Sequence, residues 1–245
     1  MMIKLDEALP SKEGILLLDK PPGKTSFYLV QRLRHLSGIR KIGHAGTLDP
    51  FATGVMILLI GKTFTRLSDQ LISHDKQYLA TLKLGQTSTT YDCDGIISQV
   101  SSKIPSAEEL ALVLQTFQGP ILQIPPMYSA KKIQGKKLYE LARKGIEIER
   151  APQLVQLQTT LVEYHYPYVT LDINCSKGTY IRSLAHDIGQ KLQTGAYLEQ
   201  LTRLRSGEFY LEDCVNYDML SLPDFDYTKH LIQMPTLTPI SSNKF

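Results

Sequence analysis

Apolar positions along the chain follow two rhythms, one of strands and one of helices. Gly14 to Asp19 is an almost unbroken apolar run and reads as a buried strand. Leu29, Val30, Leu33 and Leu36 then recur at helical spacing, with Ser26 as cap and Gly38 as stop, which predicts an amphipathic helix. After a loop of small residues, Val55 to Ile60 is again apolar throughout and predicts a second buried strand. A short helix to about Ile72, a strand from Tyr78 to Leu84 and a turn-rich stretch from Gly85 to Gly95 follow. Ser106-Ala107-Glu108-Glu109 has the form of a capping box and opens a helix to about Phe117. Residues 121 to 150 are less regular. Val169, Leu171, Ile173 and Cys175 alternate with Thr170, Asp172 and Asn174, the mark of a strand with one buried face. Ile181, Leu184, Ala185, Ile188 and Leu192 line one side of a further helix. Strands and helices interleave irregularly, which favours an α+β fold, a mixed and mainly antiparallel sheet flanked by helices, over a doubly wound parallel one.

Composition narrows this picture. With 245 residues, 42% hydrophobic and 21% charged, the chain can bury a full core as one large domain or one domain with a small appendage. The formal charge of +3 conceals an asymmetry: residues 1–207 hold 25 Lys and Arg against 18 Asp and Glu, and residues 208–245 hold 2 against 6. A basic body attracts polyanions, and an acidic tail does not. Cys93, Cys175 and Cys214 lie far apart, so neither a disulfide framework nor a zinc site is expected. No run reaches the roughly 18 apolar residues of a membrane span, and the expectation is a cytoplasmic monomer.

One carboxylate stands out chemically. Gly43-His44-Ala45-Gly46-Thr47-Leu48-Asp49-Pro50, followed by Ala52-Thr53-Gly54, places Asp49 in a turn that small residues leave open, just before a buried strand. The octapeptide alone is equally compatible with an aspartate that only caps backbone N–H groups. Gly23-Lys24-Thr25 and Gly61-Lys62-Thr63 resemble the end of a phosphate-binding loop, yet Leu18 and Met56 stand where its first glycine is required. Asp92-Cys93-Asp94-Gly95 has the look of a calcium loop, but Thr90 and Ser101 occupy its first and twelfth ligand positions, so no metal is expected. Lys20, Lys24, Arg32, Arg34, Arg40 and Lys41 precede Asp49 in a stretch without any acid, where they can steer phosphates. Lys131, Lys132, Lys136 and Lys137 add a second basic segment, interleaved with Tyr128, Tyr139 and small residues. Judged alone it is also compatible with a solvated surface loop.

Taken in order, these residues resemble the bacterial tRNA pseudouridine synthase B family. The resemblance runs from Gly14-Ile15-Leu16-Leu17-Leu18-Asp19-Lys20-Pro21 through the octapeptide, Lys76-Gln77-Tyr78, the Pro126-to-Lys137 segment, Cys175-Ser176-Lys177-Gly178-Thr179-Tyr180-Ile181-Arg182 and Leu201-Thr202-Arg203-Leu204. It covers about residues 14 to 211. It implies a pseudouridine-synthase fold with an RNA-clamping loop insertion at about 126–150. The implied activity is isomerisation of the T-loop uridine at conventional tRNA position 55, without cofactor or metal. It further implies that Asp49 is the catalytic aspartate, that Arg182 pairs with it, and that Tyr78 lies against a flipped-out base. His44, Tyr180 and Leu201 would line the nucleotide pocket, with Lys20 supporting the site. Family members often carry Thr-Asp-Thr where this chain has Ser88-Thr89-Thr90, so that turn receives no catalytic role.

Two other functions use the same residues. A non-catalytic RNA-binding or RNA-folding protein needs the basic patches but not an ionised Asp49, and a pseudouridine synthase for a different RNA needs both. After Leu211 only residues 212–245 remain, fewer than the roughly 40 an unaided domain requires, so a complete C-terminal RNA-binding domain of the PUA type is not expected. The acidic tail should leave phosphate contacts to the body, and an isolated T-arm stem-loop is expected to serve as substrate.

Overall fold

The computed structural model describes residues 11–129, 131–133 and 135–233. The chain divides into two compact units, one of residues 11–50, 54–72 and 209–233, the other of Phe51–Thr53 and Ser73–Glu208. Each holds mainly antiparallel strands with helices, the α+β class expected.

In the first unit, strand β1 (Gly14–Lys20) pairs antiparallel with β3 (Thr53–Ile60), Leu16 opposite Leu58, and β2 (Ile42–Ala45) also runs antiparallel to β3. Ile15, Leu17, Val55, Ile57 and Leu59 form one core with Ala45, Phe64, Leu71 and Phe209. The opposite row, Leu16, Leu18, Met56, Leu58 and Ile60, is fully buried as well. Both faces are covered, which is why these strands read as continuous apolar runs. Helix α1 (Ser26–Ser37) buries Leu29, Val30 and Leu33, as its spacing predicts, and ends on Gly38 at φ 72. Its cap is Thr25 rather than Ser26: the Thr25 hydroxyl accepts from Tyr28 N–H at 3.0 Å. Adjacent hydroxyls compete for this place, and Ser26 is occupied elsewhere.

Residues 209–233 complete this unit. Val215–Asn216 lies parallel to β1, Leu18 opposite Val215, and Ile15 and Ile232 exchange main-chain hydrogen bonds of 3.0 and 2.9 Å. The remainder of the acidic tail, residues 234–245, lies outside the described residues.

The second unit holds β4 (Lys76–Leu84), α2 (Ala107–Gln115), β5 (Gly119–Gln123), β6 (Gln153–His165), β7 (Tyr168–Cys175), α3 (Ile181–Lys191) and β8 (Ala196–Ser206). The strands lie in the order β8, β4, β7, β6, β5, every neighbour antiparallel. Alternation buries Lys76, Tyr78, Ala80, Leu82 and Leu84 on β4 and Val169, Leu171, Ile173 and Cys175 on β7. Helix α3 packs on β4 and β8, and α2 on β6 and α3. The turn from α3 into β8 is so tight that a Cβ on Gly189 would stand 2.2 Å from the Ala196 amide nitrogen. The longest strand, β6, and the strands β2, β5 and β8 are additions to the pattern read from sequence, which has a loop at β2 and no strand at the other three. Among the described residues no helix is long and apolar enough to cross a membrane.

Candidate active site

Asp49 is half-buried, and the residues on either side of it are pinned. The Ser26 hydroxyl accepts from Leu48 N–H at 3.0 Å and donates to Leu48 C=O at 3.1 Å, both buried. On the other side, Pro50 C=O accepts from Gly23 N–H and from Lys20 Nζ, each at 2.9 Å. Lys20 is fully buried at the end of β1 and also donates to Pro21 C=O at 2.9 Å. An ammonium hidden from water must be well supplied with acceptors, and these carbonyls meet that need. Lys20 therefore supports the Asp49 turn through main chain. His44 sits on β2 opposite Leu58, and its carbonyl accepts from Ser68 Oγ at 3.3 Å.

Arg182 lies in the first turn of α3, in the second unit, and is buried. Its position is set by Gln123 at the end of β5. That buried amide accepts from Tyr180 N–H at 2.8 Å and donates to Tyr180 C=O at 3.0 Å, so it brackets the cap residue of the helix. Ser183 Oγ adds a bond to Ile124 C=O at 3.0 Å. The guanidinium meets the carboxylate of Asp92: Arg182 Nη1 stands 3.2 Å from Asp92 Oδ2, and both side chains are almost wholly buried. It also donates to Tyr128 C=O at 2.7 Å and Thr90 C=O at 3.5 Å. Asp92 in turn accepts from Thr90 Oγ1 and from Asp94 N–H at 3.1 Å. Asp92 stands in the false calcium loop and has no expected role in the sequence. Its partner is 90 residues away, so no local spacing reveals the pair.

Tyr78 and Leu201 share one neighbourhood. Across β4 and β8, Ala80 faces Leu201 and Tyr78 faces Arg203, and all four are buried. Lys76 lies two residues before Tyr78 on the same buried row. Burial, with the Arg203 charge adding to it, pulls its ammonium down to about 8, and Nζ donates to His74 C=O. Arg203 and Lys76 lie in segments that carry the family resemblance, and neither has an expected role of its own.

Residues 126–150 have more structure than their sequence suggests. Lys132–Ile133 and Lys136–Lys137 form a two-stranded hairpin, and Leu138–Ala142 is a short helix. The segment is fastened near its ends, by Arg182 on Tyr128 C=O and by Arg150 Nη1 on Pro125 C=O at 3.3 Å. Lys131 is half-buried and Lys136 exposed, while the side chains of Lys132 and Lys137 lie outside the described part of the structure. A cavity of about 230 Å³ opens at its base, lined by Tyr91, Tyr128, Ile146 and Arg150 among others. Among the described residues no cluster of His, Cys, Asp and Glu is arranged to hold a metal ion.

Comparison with known proteins agrees in extent and order. Residues 34–181 match the model for the TruB family pseudouridylate synthase N-terminal domain, and residues 182–232 that for the tRNA pseudouridylate synthase B C-terminal domain. The chain is 56% identical to a tRNA pseudouridine synthase B of Chlamydia pneumoniae, over 93% of this chain and 97% of that protein. Among solved structures it is similar to a chain of a Cbf5-Nop10-Gar1 complex, with TM-score 0.67, 28% identity and 85% of this chain covered. A chain of an H/ACA RNP bound to a substrate RNA containing 2'-deoxyuridine gives TM-score 0.66, 25% identity and 91% coverage. This chain spans only 54% and 59% of those two chains. The pinned aspartate turn and the Arg182 helix thus fall within segments matched as one family from residue 34 to 232, and the chain belongs to the TruB family of pseudouridylate synthases, which are isomerases.

Proposed function

We propose that this chain converts uridine-55 in the T-loop of tRNAs to pseudouridine, as a cytoplasmic monomer and without cofactor. The names of its relatives support tRNA as substrate class, and the substrate RNA of the solved neighbour supports RNA. The observation that carries the catalytic part is the anchoring of Asp49: its two neighbours in sequence are each fixed by two hydrogen bonds. A carboxylate that must meet one sugar and one base is best placed by a turn that does not move.

The reaction breaks the N1–C1′ glycosidic bond, turns the base over and rejoins it through C5, from which a proton departs. Nothing is oxidised and no group is transferred to another molecule. Asp49 supplies the ionised carboxylate that acts as nucleophile or assists departure of the base. A neighbouring guanidinium favours the charged form of a carboxylate, and Arg182 fills that role. The target base leaves its stack, and the Tyr78 ring replaces the lost stacking at low entropic cost. His44, Tyr180 and Leu201 line the nucleotide pocket, and Lys20 maintains the turn. Lys131, Lys132, Lys136 and Lys137 take the RNA backbone as a mobile 126–150 loop closes.

Tritium release from C5-labelled uridine tests the reading. Release is expected from tRNA and nearly as well from the T-arm stem-loop, and none from RNAs lacking a T-arm. Absence of release from tRNA, or equal release from unrelated RNAs, overturns the assignment.

A further inference from the structure

Helix α1 carries two aromatic rings on its solvent side. Phe27 is 53% exposed and Tyr28 36% exposed, in consecutive positions where an amphipathic helix ordinarily places polar groups. Each ring has a cation against it: the Arg34 guanidinium carbon lies 5.8 Å from the Phe27 centroid, and Lys24 Nζ lies 4.8 Å from that of Tyr28. Arg34 is itself fixed by a bond to Ile42 C=O at 3.0 Å. Tyr28 is held by the Tyr217 hydroxyl, which donates to its own at 3.2 Å, and Arg32 donates to Leu220 C=O at 3.2 Å. The rings are therefore braced.

Charge selects the partner. Residues 20–43 contain six Lys and Arg and no carboxylate, and Asp218, beside Tyr217, is the acidic group on the neighbouring turn. Exposed rings set among cations match a polyanion with planar groups, because phosphates meet the ammonium and guanidinium while bases or sugars cover the rings. An acidic protein surface would satisfy the charges and leave the rings without such faces to stack on. The same helix begins at the turn that brackets Asp49, through Ser26 on Leu48 and Gly23 on Pro50. Whatever lies on this face lies beside that turn.

We infer that the α1 face formed by Lys24, Phe27 and Tyr28 is a second RNA-binding surface, distinct from the lysine-bearing loop at 126–150, which takes a backbone phosphate on Lys24 and stacks a base or sugar on Phe27. The inference rests on the proposed action on tRNA.

The test is the affinity of the full chain for tRNA as a function of salt, for the wild type, Lys24→Gln, Phe27→Ala, Lys24→Arg and Phe27→Trp. Lys24→Gln is expected to reduce the slope of log K against log salt by about 1, the loss of one phosphate contact. Phe27→Ala is expected to weaken binding about tenfold with the slope unchanged, the loss of one stacking partner. Lys24→Arg and Phe27→Trp should restore wild-type values. Wild-type affinity and slope in both Lys24→Gln and Phe27→Ala overturn the surface, as does equal weakening by the two conservative variants. Tritium release by the wild type separates the two failures: an active wild type with unaffected variants defeats this surface alone, and an inactive one defeats the function on which it rests.

Discussion

The Asp49 turn and the 126–150 segment are both connections, yet they are held in opposite ways. The turn is bonded at the residues next to its chemical group, to Ser26, Gly23 and a fully buried lysine. The segment is bonded near its ends, at Pro125 and Tyr128, and carries an exposed lysine on the hairpin between. A group that reacts needs a fixed position, whereas groups that meet a phosphate backbone gain from reach. On the proposed function, the group that reacts sits in the connection bonded on both sides of it, and the groups that meet the phosphate backbone sit in the other.

The comparison is sharpened most by Asp49→Asn. Turnover is expected to vanish while melting temperature and tRNA affinity stay near wild type. If Asp49 were only a cap, stability would instead fall by about 0.5–2 kcal/mol and turnover per folded molecule would remain.

Next in size is Asp92→Ala, which leaves the buried Arg182 guanidinium without its carboxylate. A loss of about 3–5 kcal/mol in denaturant unfolding is expected, since one partner of a buried pair is left uncompensated. A loss below 1 kcal/mol would mean that the Thr90 and Tyr128 carbonyls suffice. Arg182→Lys should be damaging as well, because an ammonium cannot reproduce the planar, many-pronged guanidinium contacts.

Lys20→Met removes the donor to Pro21 and Pro50. About 2 kcal/mol of stability should be lost, with a larger fall in kcat than in KM as the turn loosens. Equal kcat would show that Ser26 and Gly23 hold the turn unaided.

The loop is broken by charge rather than by packing. Alanine at Lys131, Lys132, Lys136 and Lys137 together should weaken tRNA binding and flatten its salt dependence, with melting temperature little changed. An unchanged slope would reduce the segment to a surface feature.

One further effect is on pH. The folded pKa of Lys76 lies near 8, below the ordinary lysine value, so the unfolded chain binds more protons between about pH 8 and 10.5. The contribution of Lys76 to stability should therefore rise with pH across that window, by on the order of 3 kcal/mol, and Lys76→Met should flatten the rise. Identical pH profiles for the two proteins would contradict this.

Much of the fold was legible because β1 and β3 are nearly unbroken apolar runs and β7 and α3 carry regular periods, each over six or more residues. Two of the strands that escaped, β6 and β8, have broken pairing. In β8 the pairing shifts between Leu198 and Gln200 and again between Arg203 and Arg205, so buried residues change phase twice. In β6 the pairing shifts between Leu161 and Glu163, burial of every second residue stops after Thr159, and the outward row includes the apolar Leu154. The site was legible where it is local, as at Asp49 in its turn. It was not legible where two distant segments meet, as at Asp92 with Arg182 and Gln123 with Tyr180, because each partner looks ordinary in its own surroundings.

The pairing of Ile15 with Ile232, and of Leu18 with Val215, has a consequence for how the protein is made. Synthesis runs from the amino end, so β1 leaves the ribosome some two hundred residues before the neighbours that complete its sheet. The second unit is built almost wholly from one continuous stretch, Ser73–Glu208, and can form while translation continues. The first must wait with an apolar strand edge unsatisfied, the condition in which nascent chains are most prone to aggregate and most in need of a chaperone. A nascent chain ending at Glu208 and tethered to the ribosome by a linker long enough to clear the exit tunnel should thus display a protease-resistant second unit and a protease-sensitive amino-terminal segment.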